Sequence, residues 1–248
     1  MSSSNDNPFI CPAEPEERPD IKKIFVRNKF LVVIQLLMIL FLELVPQFFV
    51  ENFLKNNIKN HSHFSLMQTV ITFVVTIFII FLGILWGRKI AKVKWDFLAL
   101  KQKKNLIMIG FGFIGVFISA IIGSIFSVFL NGGVAVIAKN QQGADIMTNN
   151  MPLLLFWFMA AISGPVIEET VFRVGFFEFL FREHAIFAWF VGAVFFGLVH
   201  TYDDLTHFPT YFMMGIAFGW IYWKTRRIEV SASVHFFWNT MATLITML

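Results

Sequence analysis

The sequence contains one cysteine, Cys11, and few charged residues. A single cysteine excludes an intrachain disulfide and any zinc site built on several thiolates. Charged residues make up 15% of the chain and hydrophobic residues 57%, whereas soluble domains carry roughly 25% charged residues. This composition excludes an ordinary soluble domain and predicts an all-α, multi-pass membrane protein with lipid as its main surroundings.

The chain also lacks a glycine-rich phosphate loop and an internal repeat, and we expect no cleavable signal peptide. Its first 20 residues are polar and rich in proline, with no apolar core segment, so we expect a disordered cytoplasmic tail over residues 1–25, with the first span as the membrane anchor. The net charge of +4 is explained by membrane topology, and no nucleic-acid partner is expected.

Apolar stretches predict seven membrane spans. They cover residues 30–50, 65–87, 105–130, 152–181, 185–203, 209–223 and 230–248. With the N-terminus inside the cell, 16 Lys and Arg residues fall on the cytoplasmic side and three (Lys55, Lys59, Lys139) fall outside. This asymmetry predicts a cytoplasmic N-terminus. The longest outer segment, residues 131–150, is either a lid or, as we favour, a linker.

Ionisable residues within the predicted spans are concentrated late in the chain. The fourth span carries EETVFR (Glu168, Glu169, Arg173) and Glu178, the fifth ends in FGLVH (Phe196, His200), and the seventh contains HFFWN (His235, Asn239). Such groups are costly in lipid unless they are paired or face water, so each one suggests a functional site. Glu43 and Gln47 in the first span are interpreted as packing or cavity-mouth residues.

The spacing of these residues suggests how they work together. Glu169 and Arg173 lie four residues apart on one helical face and can form an ion pair, which leaves Glu168 uncommitted. Glu168 is then the candidate general base that activates water. His200 would hold that water and pass a proton to the leaving amine, while His235 and Asn239 would donate hydrogen bonds to the oxyanion. This set of groups suffices for peptide hydrolysis.

The three motifs EExxxR, FxxxH and HxxxN, in this order on late helices, resemble the CAAX-protease and bacteriocin-processing (Abi) family of intramembrane proteases. The resemblance covers residues 164–240. It implies that Glu168 and His200 form the catalytic pair, that His235 and Asn239 form the oxyanion hole, and that Glu169 and Arg173 support them. It also implies a catalytic core over residues 151–248, preceded by N-terminal transmembrane helices over 26–150.

The resemblance implies a membrane location and a peptide or membrane-associated protein as the substrate, and the shortness of the chain suggests a bacterial source. The implied roles are bacteriocin self-immunity, peptide processing or CAAX-type processing. The family is often described as metalloproteases, and Glu168, His200 and His235 are possible Zn²⁺ ligands. Since no HExxH motif is present, we favour water activated by glutamate without metal.

Other interpretations of the same residues remain open. The ion pair can be interpreted as helix packing, His200 as an interfacial residue, and His235 with Asn239 as hydrogen-bonding residues between helices. The alternative functions are a proton-coupled transporter and a non-enzymatic membrane scaffold. Straight helices of equal length would also keep His200 apart from Glu168 and His235, and we expect Gly164-Pro165 to break the fourth helix.

Overall fold

The computed structural model describes residues 29–89, 93, 95–181, 183–202 and 204–246. Over these residues the chain forms eight helices and no strand. The helices are α1 (Lys29–Lys59), α2 (Leu66–Lys89), α3 (Lys103–Leu130), α4 (Lys139–Asn150), α5 (Leu153–Leu180), α6 (Ala185–His200), α7 (Phe208–Thr225) and α8 (Ile228–Ile245). Two short 3₁₀ turns, Phe97–Lys101 and Leu205–His207, precede α3 and α7. The predicted all-α class is confirmed, and the predicted disordered tail lies outside the described residues.

Each of the seven predicted spans coincides with a helix. Four of them, α1, α2, α3 and α5, are long and apolar enough to cross a membrane, and α6 is a shorter apolar helix. The chain is therefore a multi-pass membrane protein. The count of seven spans, the cytoplasmic N-terminus and the division into 26–150 and 151–248 stay predictions.

Helix α5 is the centre of the bundle. In its most apolar window 61% of the residues are buried, compared with 22–28% for α1, α2 and α3. The mean hydropathy of α5 is 1.4, against 2.2–2.7 for the other three helices. The burial of α5 explains this lower value, because only the outer helices must present apolar side chains to lipid. Helix α5 packs against α1, α2, α6 and α8, while α3 packs against α7 and α8.

The core around α5 is formed by apolar side chains from almost every helix. Ile167, Val171 and Phe172 on α5 pack with Leu36 of α1, Val116 of α3, Phe196 of α6, Phe218 of α7 and Val234 of α8. These side chains pack α5 against its neighbouring helices, and the polar residues of α5 lie between α6 and α8.

The expected break at Gly164-Pro165 is wrong, because α5 remains helical through this dipeptide. The helix changes its hydrogen-bonding instead: Phe158–Ser163 and Thr170–Leu180 are π-helical, and Gly164–Glu169 between them is α-helical. Proline is tolerated in the first turn of an α-helical segment, where its missing N–H is not required. Pro165 occupies that position.

The segment 131–150 is not an irregular connection throughout, because residues Lys139–Asn150 form α4. None of its residues is fully buried. Ala144 and Met147 pack against an apolar cluster that includes Val50, Leu54 and Leu155. Helix α4 therefore lies across the ends of α1 and α5 without entering the core.

Candidate active site

Glu168 faces the two predicted histidines. Its Oε2 atom lies 3.6 Å from Nε2 of His200 and 3.8 Å from Nε2 of His235. The three side chains come from α5, α6 and α8 and are between 3% and 16% exposed. Glu168 Oε2 is buried and has no hydrogen-bond partner. A buried carboxylate oxygen without a donor is costly, so this atom is available to water or to a substrate group.

Straight helices of equal length would keep His200 apart from Glu168 and His235, but in the structure the three side chains lie close together. Helix α6 has only 16 residues, and α5 contains two π-helical segments, of six and 11 residues. A π-turn spans five residues where an α-turn spans four, so positions counted along a regular α-helix do not apply to α5. The separation expected for straight helices of equal length therefore does not apply.

Glu169 is the centre of a second, fully buried network. Its Oε2 accepts hydrogen bonds from Arg173 Nε at 3.1 Å and from the Ser231 hydroxyl, and its Oε1 lies 3.2 Å from His235 Nδ1. The side chains of Glu169 and Arg173 are both 0% exposed. The predicted ion pair is present, and through His235 it is joined to Glu168.

The hydrogen bonds fix which nitrogen of each histidine faces Glu168. Nδ1 of His200 lies 2.8 Å from the carbonyl oxygen of Phe196, which can only accept, so we assign the proton to Nδ1. Nδ1 of His235 is assigned as a donor to the Glu169 carboxylate by the same argument. In the neutral state both Nε2 atoms are then acceptors that point at Glu168.

Phe196 supports the site through its ring as well as its carbonyl. Its ring centroid is 4.4 Å from that of His200, and the Arg173 guanidinium lies 5.5 Å from it on a cation–π contact. Phe218 provides a second ring at 5.8 Å from the guanidinium. These rings surround a cation whose Nη1 and Nη2 atoms have no hydrogen-bond partner, and cation–π contacts offset part of that cost.

Asn239 is bonded to α5, and the bond has a local cause. Its Nδ2 donates to the carbonyl oxygen of Ala160 at 2.8 Å. The neighbouring π-type bond runs from Gly164 N–H to the Met159 carbonyl, so the corresponding donor for Ala160 would be residue 165, which is proline. The Asn239 amide replaces the missing N–H of Pro165. Its predicted role in an oxyanion hole stays a prediction.

Two residues near the site were not identified from the sequence. Oε1 of Glu43 on α1 lies 3.5 Å, and Oε1 of Glu168 lies 3.4 Å, from the position that a Cβ would take at Gly164. Glu43 thus brings a second carboxyl group to the site. The signal was a glutamate within an apolar span, for which packing or a cavity mouth was the favoured interpretation.

The other residue is Ser231, which bonds to Glu169. Ser231, His235 and Asn239 follow one another at intervals of four residues, so they lie on one face of α8. That polar stripe is visible in the sequence. Glu178, by contrast, belongs to a separate pair, because it contacts Arg226 and the Tyr222 hydroxyl.

The separations between Glu168 and the two histidines bear on the hypothesis that these residues are metal ligands. Ligands about 2.1 Å from a tetrahedral zinc ion are about 3.4 Å apart, and the separations here are 3.6 and 3.8 Å. Over the described part of the chain, no group of three or more His, Cys, Asp or Glu side chains is arranged as a metal site. Zn²⁺ ligation by these three residues stays a prediction, and no step below is derived through a metal.

Comparisons with known proteins give relatives from bacteria. Residues 150–241 match the family model described as type II CAAX prenyl endopeptidase Rce1-like. The chain is 29% identical over 188 residues to UPF0177 protein YvdC of Lactococcus lactis, an alignment that covers 75% of this chain and 69% of the relative. No solved structure matches the chain significantly.

Two further relatives have names that describe peptidases. One is "Putative membrane peptidase YdiL" of Bacillus subtilis, 33% identical over 54% of this chain and 52% of the relative. The other is "Membrane-embedded CAAX protease MroQ" of Staphylococcus aureus, 31% identical over 55% of this chain and 56% of the relative. The chain thus aligns with about half the length of these two proteins. The resemblance found in the motifs is confirmed: residues 150–241 of this multi-pass membrane protein match the CAAX prenyl endopeptidase family model, and two proteins similar to the chain are named as membrane peptidases.

Proposed function

We propose that this chain is a membrane-embedded endopeptidase in which Glu168 activates water for attack on a peptide bond. The observation that carries the proposal is the buried, unpartnered Oε2 of Glu168 between the Nε2 atoms of His200 and His235. The relatives described as membrane peptidases support the same activity. The substrate class that we infer is a peptide, or a segment of a membrane-associated protein.

In the first step, a water molecule bound beside Glu168 loses a proton to Oε2, and its oxygen bonds to the carbon of the scissile carbonyl. His200, with its proton on Nδ1, presents Nε2 as an acceptor that orients this water. The carbonyl π electrons move to oxygen and give an oxyanion. General-base catalysis of this kind contributes about 10²–10⁴-fold to the rate.

In the second step, the oxyanion collapses, the carbon–nitrogen bond breaks, and the leaving nitrogen takes up the proton that Glu168 had removed, directly or by way of His200. His235 in its protonated form would donate from Nε2 to the oxyanion, while its Nδ1–H remains on Glu169. One oxyanion donor contributes about 3 kcal/mol.

The test compares purified wild type, Glu168→Gln and Glu51→Gln on a library of membrane-spanning peptides. Glu51 is an exposed α1 residue, 3.9 Å from Lys55, so its substitution controls for the loss of a carboxylate. We expect Glu168→Gln to lower cleavage at least about 100-fold, with Glu51→Gln unchanged and all three proteins folded.

Cleavage with and without a chelator distinguishes a metal-free form of the proposal from a metal-dependent one. Cleavage that resists chelator supports water activated by glutamate alone, whereas loss that zinc restores would make Glu168, His200 and His235 metal ligands. Equal cleavage by wild type and Glu168→Gln would contradict the proposal, and proton flux in liposomes would then test the transporter alternative. Bacteriocin self-immunity, peptide processing and CAAX-type processing stay predictions for the physiological role.

A further inference from the structure

Tyr211 and Phe196 both contact the imidazole of His200 with their rings. The Tyr211 ring is stacked on that of His200, with centroids 4.8 Å apart and an interplanar angle of 20°. Phe196 lies at 4.4 Å and 32°. His200 is the last residue of α6 and Tyr211 lies in the first turn of α7. These two aromatic contacts restrict rotation of the His200 imidazole at the end of α6.

The hydroxyl of Tyr211 is bonded to α4. Asn140, the second residue of α4, donates from Nδ2 to the Tyr211 hydroxyl at 3.1 Å, across 71 residues of sequence. The start of α4 is therefore attached to α7, the helix that carries Tyr211.

The rest of α4 is attached elsewhere and only lightly. Ala144 and Met147 contact the cluster of Val50 and Leu155 on α1 and α5, and no α4 residue is fully buried. The connection from α3 contains Gly132 and Gly133 with φ of 66° and 86°, a region that favours glycine and allows this connection to bend sharply. Segments with few buried contacts open at low free-energy cost.

We propose that Tyr211 is a positioning residue for His200 and that α4 is a gate over the site, latched by the Asn140–Tyr211 hydrogen bond. The gate connects α1 and α5 on one side with α7 on the other, and its latch contacts the ring that orients His200. Opening of α4 admits substrate, and closing restores the stacked arrangement. The role of the gate in cleavage rests on the proposed function, but the coupling of α4 to His200 does not.

Amide hydrogen exchange of residues 139–150, measured on the full chain in nanodiscs, tests this coupling without any substrate. Asn140→Ala and Tyr211→Phe each remove the latch bond, and we expect each to speed exchange about three- to tenfold. The double variant should exchange no faster than either single variant, because both remove the same bond. Asn149→Ala is the matched control, since Asn149 bonds only within α4, to the Asp145 carbonyl.

The stacking contact is tested by a second pair of variants. His200→Ala removes the ring beneath Tyr211 and should also speed exchange in 139–150, whereas His200→Phe keeps an aromatic ring and should restore the slow rate. Additive effects of Asn140→Ala and Tyr211→Phe, or exchange in 139–150 that is unchanged in all variants, would overturn the gate.

Cleavage kinetics then connect the gate with the proposed reaction. We expect Asn140→Ala to change KM with kcat retained, and Tyr211→Leu, which removes the ring, to lower kcat at least about tenfold. An equal loss of kcat in both variants would overturn the division between latch and positioning. Absence of cleavage by wild type would contradict the proposed function alone, because the exchange measurements would still decide whether α4 is coupled to His200.

Discussion

The side chain of Asn239 on α8 donates a hydrogen bond to the carbonyl of Ala160 on α5 at 2.8 Å, where Pro165 lacks the N–H that a π-helical turn would supply. One polar residue of the seventh predicted span thus completes the backbone hydrogen bonding of the helix that carries the glutamates. The same bond joins α8 to α5 one turn beyond His235.

This relationship predicts a thermodynamic coupling between Asn239 and Pro165. Asn239→Ala should destabilise the wild type by about 1–3 kcal/mol, because the Ala160 carbonyl loses its donor. In a Pro165→Ala background the new backbone N–H can bond to that carbonyl, so the same substitution should cost much less. Thermal or denaturant unfolding in detergent measures the stability of the wild type, the two single variants and the double variant. Asn52→Ala, which removes an exposed side-chain bond within α1, is the control, and equal costs in both backgrounds would contradict the coupling.

The buried pair of Glu169 and Arg173 predicts a large and asymmetric effect on stability. Arg173→Met leaves a carboxylate in the core with only Ser231 and His235 as partners, and we expect a loss of about 3–5 kcal/mol in the free energy of unfolding. Adding Glu169→Gln should recover part of this loss, since no uncompensated charge then remains buried.

The control for this experiment is the pair of Glu51 and Lys55. It has the same four-residue spacing, but its side chains are 58% and 76% exposed, so its removal should change stability by about 0–1 kcal/mol. Equal effects at the two pairs would show that burial does not govern the Arg173 result.

Gly164→Ala should raise the stability of the protein and lower its cleavage activity. The new methyl group would lie at ordinary contact distance from Glu168 Oε1 and Glu43 Oε1, and Gly164 already has right-handed helical φ and ψ. Stability should therefore rise by about 0.5–1 kcal/mol, as for glycine to alanine in a helix. Cleavage should fall about tenfold, because the methyl group occupies space between the two carboxyl groups, where we expect water.

Gly110→Ala provides the matched control for Gly164→Ala. Gly110 lies within α3, and outside its own stretch of helix no heavy atom of the described residues lies within 4 Å of the position that its Cβ would take. It should give the same gain in stability without loss of cleavage. Full cleavage by Gly164→Ala would show that this space is not used in the reaction.

The cytoplasmic N-terminus can be tested with the single native cysteine. Cys11 is the only cysteine of the chain, so a membrane-impermeant maleimide should label the wild type in inverted vesicles and not in intact cells. In a Cys11→Ser background, Ala135→Cys in the exposed α3–α4 connection should show the opposite pattern. Labelling of both cysteines from the same side would contradict the predicted topology.

The sequence by itself determined the membrane class, the helical segments and two of the polar residues that lie around Glu168, namely His200 and His235. These features follow from local properties, namely the length of apolar stretches and the cost of an unpaired ionisable group in lipid. The ion pair of Glu169 and Arg173 was predictable because residues four apart share a helical face. For the same reason Ser231 was predictable from the sequence, although it was missed.

Only the tertiary structure decided how the helices meet. It joined Glu168 to His200 and His235, brought Glu43 from α1 to Gly164, and placed Tyr211 between His200 and Asn140. Contacts between residues far apart in sequence depend on which helix faces pack together and at what height, and the π-helical turns of α5 alter both. Hydrophobic periodicity cannot encode the π-helical turn at Phe158–Ser163, because there a proline removes one backbone donor and a side chain from another helix replaces it.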